Sequence, residues 1–104
     1  MTVKVQKAEW EALSADDQKK IQQIISSNFD ASMKIIPDVA AAAARDLLGV
    51  RQLAAFNLNN PICTASCGIA EAAAVSACAV LPPPLNLICI AAAHQAGDYC
   101  RSQC

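Results

Sequence analysis

Six cysteines, Cys63, Cys67, Cys78, Cys89, Cys100 and Cys104, follow the pattern C-x3-C-x10-C-x10-C-x10-C-x3-C, which reads the same in both directions. The centre of this palindrome falls between Pro83 and Pro84, inside the triple proline of "CAVLPPPLNLIC". Pairing first with last gives 63–104, 67–100 and 78–89, three pairs whose residue numbers all sum to 167. In an antiparallel helical hairpin, residues with a constant sum sit opposite one another. At 100° per residue, Cys63, Cys67 and Cys78 fall at about 0°, 40° and 60°, and Cys89, Cys100 and Cys104 at about 0°, 20° and 60°. Each set is one narrow stripe, and the rise matches as well, because 67 and 78 are as far apart as 89 and 100.

A disulfide needs Cα atoms about 5.5–6 Å apart, closer than ordinary helix packing allows, so small residues must line the seam. The constant sum sets Ala74 against Ala93, Ala70 against Gly97 and Glu71 against Ala96. The prolines stop the first helix and pre-set the turn. Six cysteines allow 15 connectivities, and this geometry favours the nested one. A zinc site with four thiolate ligands, built from the two C-x3-C pairs, would leave Cys78 and Cys89 without a role, and free thiols need no palindrome. Nested bridges imply an oxidising compartment: outside the cell, a periplasm or an intermembrane space.

The remainder of the chain has a different character. Residues 1–62 carry seven Lys/Arg and seven Asp/Glu, whereas the last 42 carry only Glu71, Asp98 and Arg101, with His94 the lone histidine. "NLNNP", 57–61, reads as the turn between two regions, 1–57 and 58–104. In the first region Ser14 caps a helix with Asp17 at the third position after it, and Ile21, Ile24, Ile25, Phe29, Met33 and Ile36 form one apolar stripe. A break is predicted near Asp30. A further helix is predicted to start at Pro37 and Asp38 and to stop near Gly49. Trp10 is expected to pack on this bundle. No segment of 1–57 reads as a strand, so the predicted class is all-α: a small helical bundle with a C-terminal disulfide-stapled antiparallel hairpin.

Hydrophobic residues make up 55% of the 104 and charged residues 16%, which excludes a disordered tail. Alanine supplies much of that apolar count, and because it buries little area, covalent ties have a stabilising role to fill. A net charge of −1 gives no basic footprint for nucleic acid. "MTVKVQKAEW" has no apolar h-region, so export is expected by a route other than an ordinary secretory signal, or after loss of one. No uninterrupted apolar run reaches the ~18–20 residues of a spanning helix, and the most apolar stretch, 72–93, is broken by Pro82, Pro83 and Pro84.

On the hairpin's outer faces, Ile62, Ile69, Val75, Val80, Leu81, Leu87, Ile88, Ile90 and Tyr99 have no partner within two helices, and such a patch, left uncovered, marks a binding surface or an aggregation liability. The N-terminal helices are expected either to cover it or to leave and expose it. His94 is expected to pack or face solvent, and Glu71, near the seam, to snorkel outward, with a pH-sensitive buried acid as the alternative. No phosphate loop, metal-ligand cluster or Ser/His/Asp arrangement occurs in the sequence, so the expectation is a protein that is not an enzyme, with no catalytic residues, metal or cofactor.

Three resemblances follow. The twin C-x3-C of 63–67 and 100–104 and the twin C-x10-C of 67–78 and 89–100 resemble the mitochondrial coiled-coil-helix and small import-chaperone families, which are helical hairpins with nested bridges. The outer C-x3-C pairs are similar to plant α-hairpinins, some of which inhibit proteases or kill microbes. The Ala/Ile/Cys-rich, nearly uncharged segment behind a charged N-terminal half resembles a bacteriocin precursor of the halocin type, and "LSADDQKKI", 13–21, resembles part of the leaders removed during peptide export. That resemblance implies an exported bacterial antimicrobial peptide or its precursor, acting on a membrane or membrane protein of a target cell. Its N-terminal region would serve processing and export machinery. The alternative expectation is a non-toxic hairpin scaffold or chaperone that binds hydrophobic partner segments.

Overall fold

The computed structural model describes residues 2–41 and 61–103. Its elements are β1 (Thr2–Gln6), α1 (Lys7–Glu11), α2 (Ala15–Asn28), β2 (Lys34–Asp38), α3 (Pro61–Ala79) and α4 (Leu85–Ser102). The fold is mostly helical, but it is not all-α: β1 and β2 form a two-stranded parallel sheet in which Thr2 pairs with Lys34 and Gln6 with Asp38. "TVKVQ" does alternate, with Val3 and Val5 buried while Thr2 and Lys4 face out. Five residues are too short for the period to stand out, and the partner strand lies beyond two intervening helices. The strand is therefore secured by tertiary pairing rather than by a local signal.

Helix α2 begins as its capping signature requires, with Ser14 Oγ accepting the Asp17 backbone N–H at 3.1 Å. Ile21 and Ile25 are fully buried on its inner face. The apolar stripe leaves the helix after Asn28: Phe29 is the C-cap, and the Asp30 carboxylate accepts the Ser32 N–H at 2.8 Å in the turn that follows. Met33 and Ile35 then reach the core from the turn and from β2, while Ile36 points the other way and is 42% exposed. The 3–4-residue spacing of the sequence thus joined a helix to a strand. Gln22 fixes their junction. Its Nε2 donates to the Met33 carbonyl at 2.7 Å and its Oε1 accepts the Ile35 N–H at 3.0 Å. Pro37 and Asp38, predicted to open a helix, instead end β2, where the missing N–H of Pro37 costs little on a strand with a single neighbour among the described residues. The body of that predicted helix, and its stop at Gly49, lie outside the described residues.

The two C-terminal helices pack against each other as a hairpin. Pro82, Pro83 and Pro84 occupy its tip, and the Pro83–Pro84 peptide bond is cis. The N-terminal elements lie on one side of this hairpin, β1 against α4 and α2 against both helices. Val3, Val5, Trp10, Ile21, Ile25, Met33 and Ile35 share one continuous core with Leu85, Ile88 and the α4 alanines Ala91, Ala92, Ala93 and Ala96. No polar layer separates the two halves among the described residues.

Ile62–Ala79 is an 18-residue helical stretch long and apolar enough, by length and composition alone, to cross a membrane, contrary to the expectation from the sequence. That expectation centred on 72–93 and so stopped at Glu71, the one formal charge within α3. Where this carboxylate points decides what the helix can do.

Candidate functional site

Among the described residues, the seam of the hairpin is tied at two heights. Cys67–Cys100 has Cα atoms 5.8 Å apart and Cys78–Cys89 has them 5.4 Å apart, both at the separation a disulfide requires. The predicted outermost bridge, Cys63 to Cys104, involves a residue outside the described ones. Between the two bridges Ala74 and Ala93 are completely buried, which is how two helices come this close. Bridged cysteines belong to an oxidising environment. Among the described residues, no group of His, Cys, Asp and Glu is arranged to hold a metal ion.

Glu71 does not snorkel outward. Its side chain is 12% exposed and lies in the seam, where Arg101 Nη2 donates to Oε1 at 3.1 Å and Nη1 to Oε2 at 3.4 Å. Arg101 Nη2 also donates to Asp98, one turn back on α4. His94 is not solitary either, because its Nδ1 lies 3.3 Å from Glu71 Oε1. Burial by itself lowers the Arg101 pKa, but the hydrogen bonds to Glu71 and Asp98 outweigh it and hold the guanidinium above its ordinary value. The cation is permanent, and a buried carboxylate is tolerable because this bidentate partner meets it.

Gly97 makes room for this pair. A Cβ at position 97 would stand 2.5 Å from Glu71 Oε1 and 2.8 Å from its Cδ. The constant-sum pairing set Glu71 against Ala96, and in the structure the carboxylate rests over the next residue along.

The apolar positions divide into two groups. Ile62 (80% exposed), Ile69 (72%), Val80 (83%) and Leu87 (41%) face solvent. Val75, Leu81, Ile90 and Tyr99 are partly buried against the core, and Ile88 is buried within it. These five are not free surface, because the N-terminal unit packs on the hairpin and supplies the partners that two helices alone lack. The exposed members cluster on α3 and around the tip.

That makes α3 an inverted helix. Glu71 is nine positions from both Ile62 and Val80, a rotation of about 180° at 100° per residue. Its one charge therefore faces its helical partner, and its largest aliphatic side chains face out. Only 22% of Ile62–Ala79 is buried. A water-soluble helix places these groups the other way round. Helices in an apolar medium keep ionisable groups inward and paired, with small residues at the helix–helix contact.

At the open end of the hairpin, Phe29 and Met33 from the N-terminal unit meet Cys67 and Ala70 around a largely apolar cleft of about 410 Å³. No family model, curated protein or solved structure matches the chain.

Proposed function

We propose that this chain is an exported, bacteriocin-like hairpin protein in precursor form, which acts without covalent chemistry on the membrane, or a membrane protein, of a target cell. The inverted pattern of α3 carries the reading. A helix with Ile62 and Ile69 in water, Val80 beside them at its end, and Glu71 locked inward is matched to apolar surroundings. The bridges support secretion into an oxidising medium. In this reading, the N-terminal unit shields one side of the hairpin until processing and export machinery removes it. The test uses the oxidised full chain and oxidised 58–104 in parallel, against growing bacteria and dye-loaded vesicles, from nanomolar to high micromolar concentration. The full chain is expected to be the weaker agent. If neither form inhibits growth nor releases dye, the reading is wrong.

A second reading rests on a different observation. The core runs unbroken from Val3 and Ile25 to Ile88 and Ala92, as in one permanent domain, and the cleft beside Met33 offers a place for a hydrophobic segment. All the residues would then form a scaffold or chaperone for such partners. Intact mass measured on native, non-reduced material separates the two. A hairpin-sized species supports the precursor, and the full-length chain with a co-purifying client supports the scaffold.

A further inference from the structure

Resting on the membrane reading above, we propose that the outward face of α3 is a lipid-docking surface on which the molecule lies flat in one leaflet, entering the interface sideways and not spanning the bilayer. Three features point to lipid and to this attitude.

The first is charge. Glu71 is the only formally charged residue from position 61 to 97, and it is held inward by Arg101. The outward face therefore presents no charge to an apolar phase. With a net charge of −1, the chain has no attraction to anionic headgroups, so contact must be hydrophobic.

The second is area. The helical stretch Ile62–Ala79, 18 residues, is about 27 Å long and its outward face about 10 Å wide, giving roughly 300 Å². A stable protein dimer needs about 800 Å² from each partner, so a second copy is a poor occupant, whereas a lipid interface requires no matched surface of fixed size.

The third is tethering. Two disulfides and the Glu71–Arg101 pair hold α3 to α4, and α4 carries β1 with its exposed Lys4 on another side. To span the bilayer, α3 would have to leave its partner or drag the charged unit through hydrocarbon. Only its outward face is available, extended around the tip by Val80 and Leu87.

The experiment uses the oxidised full chain and phosphatidylcholine vesicles. Ile62→Trp, Ile69→Trp and Val80→Trp are made singly, and quenching by lipids brominated at successive acyl positions reports depth, with Trp10 as a constant buried background. Flat docking is expected to place all three probes at one shallow depth. Affinity is expected to change less than about twofold when salt is raised tenfold, since no counterions are released. The paired change Ile69→Ser/Val80→Ser is expected to cut partitioning about tenfold or more. Val39→Ser, at an equally bare site (77% exposed) outside the hairpin, is expected to leave it unchanged. Far-ultraviolet circular dichroism should show all variants folded, because these side chains are in water. Depth that increases steadily from 62 to 80 overturns flat docking while leaving a membrane target standing. No association of the wild type with vesicles overturns both.

Discussion

Replacing Gly97 by alanine tests whether Glu71 is held in the seam or merely rests there. Gly→Ala within a helix ordinarily stabilises by about 1 kcal/mol, through backbone entropy and propensity. Here the new methyl stands 2.5 Å from Glu71 Oε1 and 3.0 Å from its Cγ, so the carboxylate must leave its place. A freely turning glutamate would do so at little cost. This one is bound through both oxygens to Arg101, and moving it breaks a buried ion pair, at about 3 kcal/mol or more. Gly97→Ala is therefore expected to destabilise the protein by about 2 kcal/mol net, the difference of those two effects. In a Glu71→Ala background the obstacle is gone, and the same substitution should stabilise by about 1 kcal/mol. The sign inverts, and the coupling between the two sites is about 3 kcal/mol. Urea unfolding of the four oxidised proteins, followed by far-ultraviolet circular dichroism at neutral pH, measures all the terms. If Gly97→Ala stabilises both backgrounds equally, the ion pair does not hold Glu71, and the inward-facing charge loses its significance.

The bridges and the turn at Asp30 can each be tested directly. Removing Cys78–Cys89 by serine substitution frees a separation of 11 residues and is expected to cost about 3 kcal/mol, whereas removing Cys67–Cys100, separation 33, should cost about 4. A larger loss from the tip bridge, in the same urea assay, would show that loop closure is not what the bridges supply. The Asp30 carboxylate accepts the Ser32 backbone N–H and, as the smaller contribution, its hydroxyl, so it titrates below its ordinary value of about 3.8. A depressed folded value means that its stabilisation is complete above that ordinary range and is lost as pH falls through the lower value. Ser32→Ala is expected to bring the Asp30 carbon resonance nearer to ordinary titration but not all the way, and a wild-type midpoint at or above 3.8 would refute the assignment.

The hairpin was legible because covalent geometry is strict. Six cysteines in mirror order leave few arrangements that satisfy both helix phase and Cα separation, and Cys67–Cys100 and Cys78–Cys89 obey them. The Ser14 cap and the break at Asp30 were legible because each acts within a few residues. The sheet was not. Val3 and Val5 declare a strand only once Ile35 and Pro37 lie beside them, and that pairing crosses two helices, α1 and α2. Glu71 was misread because the constant-sum rule compares backbone positions, whereas arginine reaches across from more than a turn away. A signal was nonetheless present: Glu71, Asp98 and Arg101 are the only formally charged residues in this pair of helices, and unlike charges in largely apolar surroundings find one another.

Because α3 and α4 are cross-tied at two heights below the proline tip, the peptide chain at the tip is redundant as a connector. A single backbone cut between Ala79 and Leu85 would yield two polypeptides that still travel as one particle, heavier by one water and separable only by a reductant. The exposed prolines could thus be nicked, or replaced by a foreign insert, with the helix pair surviving as a two-chain body.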